Sequence, residues 1–232
     1  MKRLLELRLT AIWILVALSL TGCVRGAKKV PVLPHEDLFT KHVLNVVESY
    51  PTDGTHKYWW PKDEVWAGVT RDIRYKREVV AKGDPQGRCY CCGLTWEVFM
   101  RAVEQYNKRH WRNVLDHWTR EEVDDFRKKW FGSDGNKECL RNAILSYKIG
   151  REITNKDEAR RGDFVQLWRA NGSGHSVVFD SWIRSETGEI GGMKYWSTQP
   201  ASSGIGYATE TTKGPKALLL DQTYVMRIGK RR

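Results

Sequence analysis

Long apolar runs are missing from this sequence: its most hydrophobic stretch, residues 9–20, falls short of the about 20 residues that a membrane-spanning helix needs. It has no internal repeat and no low-complexity tract, which excludes solenoid arrays and disordered polymers. The five cysteines include no two separated Cys-x-x-Cys pairs, so a structural zinc site is not expected, and neither is any other cofactor. Zinc-finger spacing and an RNP-like aromatic motif are absent as well, and nucleic acid is not an expected partner. Acidic residues are in short supply, with 28 Asp and Glu against 39 Lys and Arg and a net charge of +11. What is there fits a globular domain: 232 residues, 41% hydrophobic, with 11 tryptophans for a core. The basic excess suits an anionic partner such as an envelope polymer or lipid headgroups.

The N-terminus reads as a leader. Lys2, Arg3 and Arg8 precede the uncharged run 9–20, and Leu20-Thr21-Gly22-Cys23 follows at once. That tetrad resembles the bacterial lipobox, which implies removal of residues 1–22, a lipid on the thiol of Cys23 and attachment to a membrane. The leader's three cations and one anion would leave the mature chain at +9. Val24 is not the aspartate tied to inner-membrane retention, so in a diderm bacterium the resemblance implies the outer membrane, facing the periplasm. Residues 24–34 are basic and carry two prolines, as a tether would. Residues 35–232 are left for a single domain.

Within it, Gly83-Asp84-Pro85-Gln86-Gly87 is turn-forming, and Leu94, Val98, Ala102 and Tyr106 after it have helical spacing. Cys89, Cys91 and Cys92 lie at the junction. A thiol at a helix N-terminus meets unpaired N–H groups and the positive end of the helix dipole, which lower a pKa of about 8.5 in a free cysteine. The same N–H groups can hold an oxyanion. Adjacent cysteines pair poorly, and one arrangement joins Cys89 to Cys139 and leaves Cys91 and Cys92 free.

Residues 35–50 predict an amphipathic helix, with His42 on its apolar face as an ordinary core or surface residue. Residues 51–84 predict turns and short extended pieces, whose tryptophans suit core packing more than ligand stacking. The central helix should reach about residue 108. Helices at about 110–118, 119–130 and 137–147 make residues 109–150 a helical insertion packed on the core, with Thr119 and Glu122 as a capping box. Beyond residue 153 the text turns to strands near 162–168, 175–183, 193–199, 205–209 and 223–228. Helices first and antiparallel strands afterwards predict an α+β domain.

His175 opens a strand after the Gly-rich turn 171–174 and is the candidate general base. If strands 175–183 and 191–199 form a hairpin about Thr187-Gly188, Gln199 comes opposite His175 and can orient it, with Ser197 on the same face as the alternative.

Tyr90-Cys91-Cys92-Gly93-Leu94, Gly162-Asp163-Phe164-Val165 and Gly174-His175-Ser176-Val177-Val178-Phe179 together resemble, in order, the Asp-Cys-Ser-Gly-Leu, Gly-Asp-Leu-Val and Ser-His-Val-Gly-Ile motifs of the NlpC-type papain-like cysteine peptidases. The resemblance covers about residues 84–200 and implies a papain-like core with Cys91 as nucleophile, His175 as base and a polar third residue on the next strand. Tyr90 and Cys92 depart from the family's Asp and Ser. Gln86-Gly87-Arg88-Cys89-Tyr90-Cys91-Cys92 also resembles papain's own Gln-Gly-Ser-Cys-Gly-Ser-Cys, which would make Cys92 the nucleophile. Gln86 is an oxyanion donor in either register. The function implied is an envelope-anchored hydrolase cutting an amide or peptide bond, most naturally in peptidoglycan. The alternatives are an acyltransferase or thioesterase on the same fold, and a non-catalytic envelope-binding scaffold.

Overall fold

The computed structural model describes residues 31–61 and 66–231. Cys23 and the leader lie outside them. Helix α1 spans Glu36–Glu48; His35 caps it by accepting from the Asp37 N–H at 3.3 Å, and Glu36 and Asp37 complement the dipole in its first turn. Its buried Phe39, Val43, Val46 and Val47 lie on one face, against α2, Cys91–His110. Helix α3 spans Arg120–Phe131 and carries the expected capping box between Thr119 and Glu122, and α4 spans Cys139–Ser146.

The helix expected over 110–118 is not formed. Trp111 takes a left-handed φ of 50° and ends α2, and the Asn107 side chain then captures the Val114 N–H at 3.0 Å. The resulting turns put Leu115 and Trp118 in the core and leave Trp111 in solvent.

Strands β1, Ile73–Tyr75, and β2, Glu78–Ala81, form a small hairpin. The main sheet has β3 Gly150–Glu152, β4 Phe164–Trp168, β5 Gly174–Arg184, β6 Ile190–Gln199, β7 Gly204–Thr211 and β8 Tyr224–Ile228. Its order is β3-β8-β4-β5-β6-β7, antiparallel throughout. The chain is therefore α+β. Alternation along the strands separates two cores. Phe164, Val178, Trp196 and Met226 join the helices in the larger one, while Val165, Val177, Phe179, Tyr195 and Val225 make a smaller cluster on the opposite face. Among the described residues no helix is long and apolar enough to cross a membrane.

One expected boundary moves. The tether runs into the fold, since Leu33 is buried in the larger core and the Pro34 carbonyl accepts from the Lys230 N–H at 2.9 Å. Residues 109–150 pack deep into the larger core. Trp130 is fully buried, with its ring 5.5 Å from that of Phe99 on α2 and 5.2 Å from that of Phe164 on β4.

A buried ion pair joins β8 to the lead-in of β4. Arg227 donates from Nε to Asp163 Oδ1 and from Nη2 to Oδ2, each at 2.8 Å, and Nη2 also reaches the Glu158 carbonyl at 2.6 Å. Burial pushes the Asp163 carboxyl up, against the pull of Arg227. Removing Asp163 would leave the buried guanidinium without its two short bonds, with Glu36 Oε1 at 3.7 Å as the remaining carboxylate. Asp163→Ala is therefore expected to lower unfolding free energy by about 3–5 kcal/mol, read from urea denaturation.

Candidate active site

The start of α2 is placed by close approach and by a buried carboxylate. A Cβ on Gly93 would lie 2.3 Å from the Gly68 carbonyl oxygen and 2.4 Å from that of Ala67, so only glycine lets the first turn rest on segment 67–68. One turn on, Glu97 is fully buried and accepts from the Tyr50 hydroxyl at 2.7 Å, the Thr70 N–H at 2.7 Å and the Thr70 hydroxyl at 2.8 Å. Tyr90, extended, precedes the helix and supplies no side-chain cap. The first-turn N–H groups thus carry their partial positive charge beside Cys91 and Cys92.

A cavity of about 230 Å³ opens there, lined by Cys91, Cys92, Cys139, Gln166 and His175, with Trp60, Phe131 and Trp168 among its walls. The three sulfurs differ. Cys91 is held well below the ordinary thiol range: the Cys92 S–H donates to it, and the charge and hydrogen bonding of His175 and the Ser176 N–H add to this, against burial. Cys92 is pushed well up by that same hydrogen bond and by burial. Burial lifts Cys139 to about 11. Of the adjacent pair, Cys91 is the one beside His175, and it is half-buried where Cys92 is buried.

His175 stands at the beginning of β5, next to Leu167 of β4. Its Nε2 lies 3.4 Å from Gln199 Oε1, and the Gln199 amide nitrogen donates to the Ser202 hydroxyl, which leaves the carbonyl end for the ring. The hairpin register explains the meeting. Asp180 has no cross-strand partner, and between it and the strand start the register runs through Phe179 opposite Tyr195 and Val178 opposite Trp196, which carries Gln199 to His175. Ser197 is spent elsewhere, donating to the Ser176 carbonyl at 2.8 Å. Behind the imidazole, the Tyr195 ring stands edge-on at 5.5 Å and its hydroxyl donates to Glu210 at 3.0 Å. Burial would raise the Glu210 carboxyl, but Arg169 beside it holds it low.

The structure does not bring Gln86 into this cavity. Asp84 Oδ2 accepts from the N–H groups of Gln86 and Arg88 at 2.9 and 3.0 Å, and the tight turn so formed leaves Gln86 exposed. The amide that does line the cavity is Gln166, buried on β4, whose Oε1 accepts from the Cys139 thiol at 3.3 Å. Its signal in the sequence is a polar residue in an apolar strand, at the parity of helix-facing Phe164. The pairing of Cys89 with Cys139 is corrected too: all four cysteines from Cys89 onward are free. Cys89 is buried before α2 and pushed up to about 12, whereas Cys139 faces the cavity from α4.

Among the described residues no group of three or more His, Cys, Asp and Glu side chains is arranged to hold a metal ion. In comparison with known proteins, the chain matches no family, no curated protein and no solved structure.

The arrangement brings together a thiol held below its ordinary range, an imidazole and an amide beside the ring, the groups an activated nucleophile needs. Because Gly93 rests on backbone, Gly93→Ala must lift the helix start. We expect a loss of about 1–3 kcal/mol in urea denaturation, together with slower alkylation of Cys91 at neutral pH.

Proposed function

We propose that the protein is an envelope-anchored cysteine hydrolase of the papain-like, NlpC-type kind, cleaving an amide or peptide bond, with peptidoglycan as the substrate. One observation carries the reaction type: the depressed thiol at an uncapped helix start lies against His175, whose ring is set by Gln199. The envelope location draws on the leader and on Cys23, and the substrate on that location and the basic balance of the chain.

In this reading Cys91 passes its proton to His175 and reacts as the thiolate. The thiolate attacks the carbonyl carbon, and the developing oxyanion is held by first-turn N–H groups of α2 and by the Gln166 amide. His175 then gives its proton to the leaving nitrogen as the C–N bond breaks, leaving a thioester on Cys91. A water molecule loses a proton to His175 and attacks the thioester; the C–S bond breaks, and the acid product leaves with the thiolate restored. In this reading Cys92, at the position of serine in the family resembled, stays protonated and its S–H donates to the thiolate. Free thiols and the action of His175 on Cys91 support this reading over a non-catalytic scaffold.

The sign of the pH dependence follows from the depressed thiol. Cys91 stays ionised as pH falls below the ordinary thiol value of about 8.5, so alkylation should remain fast in a range where a free cysteine is protonated. We expect rapid labelling of Cys91 at about pH 6–7, identified by mass spectrometry, and a His175→Ala variant whose labelling slows by about tenfold or more with its midpoint moved upward. Gln199→Ala should slow labelling less than His175→Ala. Preferential labelling of Cys92, or no thiol faster than free cysteine, would overturn the assignment.

A further inference from the structure

A second, larger cavity of about 980 Å³ adjoins the thiol cavity and shares Trp60 and Phe131 with it. Its character is set by aromatic faces. Trp59 and Trp60 are 43% and 52% exposed, unusual for side chains of this size, and each is propped from one side. Trp60 packs 4.7 Å from the Tyr90 ring, and the Arg88 guanidinium covers Trp59 at 4.9 Å. Backbone pairing holds both in place, since the Trp59 N–H donates to the Cys89 carbonyl at 2.9 Å and the Cys89 N–H to the Lys57 carbonyl at 3.1 Å. Two half-open indoles are thereby fixed beside the run that leads to Cys91.

The rim is charged but compensated. Arg88 is bidentate to Asp84 at 2.8 and 3.0 Å, Lys82 pairs with Asp72 at 3.2 Å, and Arg120 pairs with Asp124 at 2.9 Å and Glu78 at 3.3 Å. Arg127 lies 3.5 Å from Asp124. Lys128 is the fifth cation of the lining, and with the other four paired such a rim offers many hydrogen-bonding groups and a weak net field. A single-stranded nucleic acid or another polyanion needs cations free to meet a charge at each repeat, and here they are mostly matched. An extended peptide would add to the outer edge of β2, but the Val79 carbonyl already accepts from Arg120 Nη1 at 3.1 Å. Aromatic platforms beside paired charges instead fit a chain of sugar rings. Their C–H faces lie on indole, and their hydroxyl and amide groups bond to guanidinium and carboxylate.

We propose that this groove binds a glycan strand, with sugar rings stacked on Trp59 and Trp60 and ring substituents bonded to the Arg88–Asp84 pair and to Arg120. That the strand is delivered to Cys91 rests on the hydrolase reading; the binding itself does not.

The test is isothermal titration calorimetry of the full-length protein with a soluble oligomer of N-acetylglucosamine, with poly-dT and polyglutamate as polyanion comparators. The expected result is binding with a Kd below about 1 mM. It should change less than about twofold between about 0.01 and about 0.15 M salt. Trp59→Ala and Trp60→Ala should each weaken it by about tenfold, and Trp59→Phe should restore most of the loss. The exposure of both indoles keeps these variants folded, and urea denaturation of the same samples reports that directly. No binding of the oligomer overturns the proposal. So does tighter, steeply salt-dependent binding of either polyanion, and so does an affinity indifferent to both tryptophans. Calorimetry needs no reactive thiol, so an unreactive Cys91 with intact binding would count against the hydrolase reading alone, and reactive Cys91 without binding against the groove alone.

Discussion

Everything at the site depends on where α2 begins, and that is decided by the seating of Glu97 in the core. A carboxylate removed from water costs several kcal/mol unless its lone pairs are filled. Here Tyr50 and Thr70 fill them from two separate segments, so the charge is comfortable in one position of the helix only. The contact of Gly93 with the 67–68 carbonyls acts in the same direction one turn earlier. Hydrophobic packing alone would let α2 slide by fractions of an ångström, because apolar contact is non-directional. Hydrogen bonds to a buried charge are directional, and they hold the thiols to one place relative to β5.

The sheet side is fixed by a chain of hydroxyl contacts. Trp130 Nε1 donates to the Thr95 hydroxyl at 3.1 Å, that hydroxyl lies 2.8 Å from the Ser176 hydroxyl, and Ser197 donates to the Ser176 carbonyl at 2.8 Å. The chain crosses from α3 through α2 to β5 and β6. Ser176 is also the residue whose N–H acts on the Cys91 sulfur. Helical segment 109–150 therefore bears on the chemistry twice, through Trp130 in this chain and through Phe131 and Cys139 in the cavity wall.

Local chemistry made much of this legible. The turn at 84–87, the capping box at Thr119 and the Gly-rich turn before His175 each depend on neighbours within a few residues, and the corresponding elements form. Gln199 was within reach because strand pairing is arithmetic once a hairpin is assumed. What could not be read depends on distant contacts. Gln86 has the right residue type, but the Asp84 carboxylate decides its direction. Gln166 becomes a cavity residue only when β4 is laid beside β5. The helix expected at 110–118 has good local spacing and gives way to Asn107, whose side chain takes a backbone N–H that the helix would have used. Leu33 reads as linker until Lys230, almost two hundred residues later, pairs with its neighbour Pro34.

The unpaired Asp180 of β5 is held by Arg161 and Lys194, each at 3.3 Å from a carboxylate oxygen. Because side chains alternate between faces, one residue more or less in this strand exchanges the whole set of groups presented to the imidazole. The bulge thus acts as a frame selector for the site. Point substitutions around His175 would tune its surroundings by degrees. A one-residue deletion at position 180, far along the strand from the sulfur, would replace the ring's partner outright while leaving every cavity residue in the sequence unchanged.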